Sequence, residues 1–270
     1  MLCSVYVKGE EQPTFLQKAP PPRRSAALFI HTLTPTYASF LKVSRMPPNL
    51  FGASVFMSRL QRSVHQANHT SKLLQSAQDE AGALFFPPKT TVRCVGSPMF
   101  RTQLARDVGC LLDLDPTVIS WTCLPLVLSR RSRHHVPDFS ITRPEGVSLV
   151  DARPMLGKRP LPEWVVEATQ AMGYQHETHQ EAELRGSIRL ENARDLLQYA
   201  AYRPSLGDRV RILALLEENG SMPLSGCLEA IRSGHDAIAV VASLALQRFI
   251  EIELDDARIG PSTIVSRFRG

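Results

Sequence analysis

Asp138, Asp151 and Arg153 are the residues of this chain whose types and spacing could do chemistry together. They lie in the stretch from Arg130 to Pro154, which reads RRSRHHVPDFSITRPEGVSLVDARP. Pro144, Glu145 and Gly146 supply turn chemistry in its middle. Val147, Leu149 and Val150 make an apolar strand that runs into Asp151. The stretch is therefore expected to form a β-hairpin with Asp138 and Asp151 on neighbouring strands and a cation two residues after the second acid. Hard cations such as Mg2+ are held by one or two carboxylates together with waters and phosphate oxygens. A cation beside them can stabilise a phosphate under attack. The chemistry expected is metal-assisted attack of water on a phosphodiester, with Asp138 and Asp151 as metal ligands and Arg153 as the third catalytic residue. Arg130, Arg131 and Arg133 form a basic strip beside this cleft and, with His135, are candidate DNA contacts. For the arginines, a DNA-backbone role and a solvated strand face both remain open. His134 and His135 are adjacent, so a strand would point them to opposite faces. That suits surface residues or phosphate contacts better than paired zinc ligands.

The elements that must position these residues can be read from the flanking sequence. Phe100 to Leu114 carries apolar Leu104, Val108, Leu111 and Leu112 at helical spacing. Val118–Trp121 and Leu124–Leu128 read as strands leading to the hairpin, and Lys89–Val95 as a short strand before the helix. Pro162–Ala168 opens a helix that closes at Gly173, and Tyr174–His179 reads as a strand. This alternation predicts a mixed α/β layer fold. From about Glu191 the pattern changes. Helices are expected over Asn192–Tyr202, Arg209–Glu218, Pro223–Ile231 and Asp236–Phe249, followed by strands Ile250–Leu254 and Thr263–Arg267. Val210, Leu213 and Leu216 share one helix face, and Leu213, Leu216, Ile238, Val241 and Leu244 are the expected core positions of this region. Three short helices and a β-ribbon read as a winged-helix variant, whose third helix would face DNA by the usual logic of such motifs. Its cations are few, which points to protein contacts at least as readily as to DNA.

Three regions follow: residues 1–90, an irregular arm; 91–190, the α/β domain; and 191–270, the winged-helix-like domain. The arm holds the tract Lys18-Ala19-Pro20-Pro21-Pro22-Arg23-Arg24, which can be neither helix nor central strand. Arg59, Arg62, His65, His69 and Lys72 recur at helix-like spacing. They suit either a basic arm on DNA phosphates or a solvated helix face.

Composition narrows the function classes. A hydrophobic content of 43% and a charged content of 21% are ordinary for a globular chain of 270 residues. The net charge of +5 permits nucleic-acid binding without establishing it. Of the 31 cationic residues all but six are arginine, and arginine does not replace lysine in proton transfer. The five cysteines are scattered with no CxxC pair, which speaks against a zinc knuckle or a disulfide framework and fits reduced cysteines of a cytoplasmic protein. No run approaches the ~18 apolar residues of a membrane span, and the first residues lack the pattern of a signal peptide. There is no GxxxxGK[ST] element for nucleoside triphosphate binding and no GxSxG element for a serine nucleophile.

In order along the chain stand Leu104-Ala105-Arg106-Asp107, Asp115-Pro116, Leu124-Pro125, Pro137-Asp138-Phe139, Asp151-Ala152-Arg153 and Leu190-Glu191-Asn192-Ala193-Arg194. Together these resemble the TnsA-like transposon-end endonucleases, whose nuclease domain carries the PD-(D/E)xK motif, over roughly residues 97 to 267. The resemblance implies a restriction-endonuclease-like mixed sheet flanked by helices, followed by a winged-helix domain. It implies a DNA transposition subunit that cuts transposon ends with Mg2+ beside a separate transposase subunit and an ATPase regulator. Two positions depart from the family pattern. Ala105 stands where the family has a metal-binding glutamate, and Arg153 stands where it has the catalytic lysine. Alanine has no ligand atom, and arginine keeps its proton near neutral pH. Asp107, two residues on, faces another way on a helix. The resemblance therefore also admits a catalytically degenerate DNA-binding and assembly subunit.

Overall fold

The computed structural model describes residues 68–155, 160–232 and 236–269. Arg59, Arg62 and His65 of the basic series and the tract at residues 18–24 lie outside the described residues, while His69 and Lys72 fall on a helix, α1, described over residues 68–82.

A four-stranded mixed sheet flanked by helices carries the site. Its strands are β1 (Ser120–Cys123), β4 (Phe139–Arg143), β5 (Gly146–Arg153) and β6 (Gln175–Gln180), in the order β1-β4-β5-β6. A separate two-stranded ribbon is formed by β2 (Leu128–Arg130) and β3 (Arg133–His135). β4 and β5 pair antiparallel from Phe139↔Val150 to Arg143↔Gly146, so Pro144 and Glu145 alone form the loop. A two-residue loop needs unusual backbone angles, and Gly146 supplies φ +148 beside it. β5 and β6 pair parallel, as a crossover through α3 (Glu163–Ala171) requires.

Alternation along β5 sorts its side chains between two layers. Val150 and Ala152 enter the main core with Val108, Leu112 and Phe139, on the side of α2 (Gln103–Leu114). Leu149 enters a smaller cluster with Leu128, Trp164 and Val165 under α3. By the same parity Asp151 and Arg153 belong to the α3 side, and Asp151 is the charged exception among the buried positions of this strand.

α2 starts at Thr102, whose hydroxyl accepts from the Ala105 N–H. It is buried well beyond the apolar stripe read from the sequence, because α5 (Ile188–Leu197) covers it as well as β5. Gly109 permits this closeness: a Cβ there would stand 3.0 Å from the Phe100 ring and 3.2 Å from the Arg106 guanidinium. Arg106, fully buried, donates to the carbonyls of Pro88 and Thr90 and lies over the Phe100 ring. Asp113, also fully buried, accepts from the Arg93 N–H and from the Trp121 indole.

The remaining elements are α4 (Glu181–Leu184), α6 (Leu206–Asn219), β7 (Ser221–Pro223), α7 (Leu224–Glu229), α8 (Ala237–Leu246), β8 (Ile250–Ile252) and β9 (Ile264–Arg267). β7, β9 and β8 form a three-stranded sheet in that order, one strand more than the expected ribbon. All the described residues belong to one compact unit. α8 is apolar on every side, with Ala239 to Leu244 buried, and packs on α5, α6 and α7. The 253–263 loop lies on α5. Asn192 donates to the Leu254 and Ala257 carbonyls and accepts from the Ile259 N–H, while Arg258 pairs with Glu191 and Asp195.

Several sequence readings are corrected. Leu124–Leu128 is not a strand: Leu124 takes φ +45 and Pro125 follows it, so the chain turns before β2 begins at Leu128. Residues 89–95 contribute only a bridge from Cys94 to Trp121. Val210 and Ile238 are exposed, at 57% and 51%. Val210 lies away from the Ile212–Leu216 face that α6 buries, and Ile238 sits in the first turn of α8, whose burial begins at Ala239. The third helix of the C-terminal region, α8, is enclosed by protein and does not face outward.

Candidate active site

Asp138 immediately precedes β4, and Asp151 follows Val150 on β5. The Phe139↔Val150 register therefore brings the two acids side by side. Both line a cleft of about 310 Å³ together with Arg101, Thr102, His135 and Arg153. Arg101 and Thr102 arrive from the start of α2, His135 from the end of β3.

Each carboxylate is held by N–H donors. The Oδ1 of Asp138 accepts from Arg101 Nε at 2.9 Å and from its terminal nitrogen at 2.6 Å. The Oδ2 accepts from the Ala152 backbone at 2.9 Å. Arg101 also donates to the Val136 carbonyl, which fixes it across the mouth of the cleft. Asp151, 2% exposed, receives His135 Nε2 at 2.9 and 3.0 Å and His176 Nε2 at 3.0 Å. Burial pushes the Asp151 carboxyl up, but the hydrogen bonds from His135 and His176 outweigh it and bring the group down to about 2. Asp151 is thus an anion at neutral pH and accepts only, so both histidines present Nε2–H to it.

This donor set bears on Mg2+. Mg2+ needs carboxylate oxygens free to enter an octahedral shell with waters. Here every oxygen of Asp138 and Asp151 already accepts a hydrogen bond, and the Arg101 guanidinium occupies the position beside Asp138 that a cation would take. Among the described residues no group of three or more His, Cys, Asp or Glu side chains is disposed to hold a metal ion. As arranged, a cation would have to displace the Arg101 guanidinium to reach Oδ1 of Asp138.

Ala105 is 1% exposed, sits in the main core and does not line the cleft. Asp107 turns away to pair with Arg194 of α5. Arg130 is paired with Glu167 of α3 at 2.6 Å, whereas Arg131 and Arg133 are exposed at the tip of the ribbon. His134 and His135 do diverge: His134 bonds Ser129 and lies 5.2 Å from the His69 ring on the outside, while His135 turns in to Asp151. Arg101 and His176 were missed by sequence reasoning. The signal for His176 lay in the parallel register that sets it opposite Leu149, two residues from Asp151 on the same face. Arg101 could be found only as the basic residue next to the helix cap. No helix among the described residues is long and apolar enough to cross a membrane. No family model matches the chain, and no curated protein matches it.

Proposed function

We propose that the chain is a DNA-end-handling subunit of a transposition machinery, similar to the TnsA-like endonucleases, in which the nuclease cleft is kept as a scaffold and its acids are neutralised from within. One observation carries this reading. Asp138 and Asp151 share a cleft with Arg153, as a nuclease core requires, yet Arg101, His135 and His176 take up the oxygens a metal would use. The mixed sheet between helices suits a restriction-endonuclease-like domain. Three helices with a three-stranded sheet and the 253–263 loop suit a winged-helix variant. Arg153 cannot serve as a base, but it and Arg101 can neutralise a bound phosphate. The partners in this reading are transposon-end DNA, a separate transposase subunit and an ATPase regulator.

A second reading, an active endonuclease, has one feature in its favour. The Arg101 side chain is 35% exposed at the mouth of the cleft, so its displacement would uncover Asp138. A nicking assay on transposon-end DNA with Mg2+ or Mn2+ separates the two. The scaffold reading expects no nicking by the chain alone. Metal-dependent nicking that Asp138→Ala abolishes would overturn it and leave the active nuclease.

A further inference from the structure

The arginine-bearing ribbon is built in a way that its own stability does not explain. β2 and β3 pair Arg130↔Arg133, so Arg131 and Ser132 alone form the loop. Arg131 sits there at φ +56, in the left-handed region that disfavours residues with a Cβ. Glycine is the residue such a loop prefers. A long cationic side chain kept at a strained position points to function rather than folding.

The surroundings indicate which surface is used. Arg130 is held by Glu167, and Glu163 and Glu167 make the α3 wall of the groove beside the ribbon acidic. The ribbon side of the same groove is lined by Arg130, Arg131 and Arg133, so cations face the acids across it. Arg131 and Arg133 are exposed at the tip of the ribbon, at the edge of this groove, and have no ion-pair partner among the described residues. The usual DNA-reading parts of a winged helix are taken: α8 is buried, and the 253–263 loop is fastened to α5. A two-stranded ribbon is narrow enough to enter the major groove of DNA.

We propose that the β2–β3 ribbon is a DNA finger, with Arg131 and Arg133 contacting backbone phosphates at its tip and His135 fastening its base to Asp151 in the cleft. This rests on the DNA-handling reading above and names the surface by which it is met. The other polyanion such a tip could meet is an acidic protein face. DNA is favoured because a two-stranded ribbon is narrow enough to enter a major groove walled on both sides by phosphates, which its tip cations would meet.

The test compares the natural chain with Arg131→Gly and with Arg131→Gly combined with Arg133→Gln. Binding to a short duplex is measured across salt concentrations, and thermal unfolding is measured in parallel. Arg131→Gly is expected to unfold at the same or a higher temperature while binding DNA roughly three- to tenfold more weakly. The double variant is expected to lose about two from the slope of log affinity against log salt. Equal affinity and slope in natural chain and variants would overturn the finger, and would leave an acidic protein as the partner of the tip. A marked fall in unfolding temperature for Arg131→Gly would also overturn it, by showing the arginine to be structural. No binding of DNA by the natural chain at any salt would instead remove the DNA-handling reading itself.

Discussion

Asp151→Asn tests whether the buried acid is held by its histidines as an anion. The carboxyl is lowered from its ordinary 3.8 to about 2. At about 1.4 kcal/mol per pKa unit, that difference stabilises the fold by roughly 2–3 kcal/mol at neutral pH. The folded value lies below the unfolded one. The contribution is therefore fully present above the unfolded value and is lost as pH falls through the folded value, near 2. Asparagine keeps the shape of the side chain but not the charge, so the variant forgoes this contribution at every pH. Urea unfolding of both proteins from about pH 7 down to about pH 2.5 measures the difference. The variant is expected to be about 2 kcal/mol less stable at neutral pH, with the gap closing as the natural protein becomes protonated. A constant gap across the range, or a variant at least as stable at neutral pH, would refute the idea that the histidine bonds outweigh burial.

Removing Arg101 frees both Oδ1 lone pairs of Asp138, so Arg101→Ala should raise Mn2+ affinity roughly tenfold or more, as followed by titration calorimetry; an unchanged affinity would show that Arg101 does not block a cation. Gly109→Ala places a methyl 3.0 Å from the Phe100 ring. Overpacking costs about 1–3 kcal/mol against the roughly 1 kcal/mol that alanine gains in a helix, so denaturant unfolding should show a net loss. Asn192→Ala removes three hydrogen bonds to the 253–263 loop. It should cost about 2–4 kcal/mol and speed amide exchange in that loop before the rest of the chain, as read by hydrogen-exchange mass spectrometry.

What the sequence could disclose followed the range of the interactions involved. The β4–β5 hairpin was legible because Pro144, Glu145 and Gly146 are local turn signals set between apolar strands. The β2–β3 ribbon was not, since Arg130, Arg133 and His134 offer no apolar alternation and Leu124 leaves extended geometry. Helical periodicity located α6 and α8 but misplaced Val210 and Ile238, because an apolar residue is buried only where a neighbouring element arrives to cover it. The two acids were marked by motif and turn. Arg101 and His176, which decide what those acids can hold, lie 37 residues before Asp138 and 25 after Asp151. Only the tertiary fold brings them in.

The enclosure of α8 also bears on how the chain is made. Synthesis runs from the N-terminus, so α2, the sheet and α5 leave the ribosome before the helix that completes their cover. Until α8 arrives, the face of α5 that it will bury stands open to water, and Tyr202 and Arg93 lack the partners they find in Ser243 and the Leu246 carbonyl. A nascent chain that has emerged as far as the turn at Pro204 shows this apolar face to solvent, the kind of surface that chaperones shield. Only when α8 has been added does the first-made part of the molecule become self-sufficient.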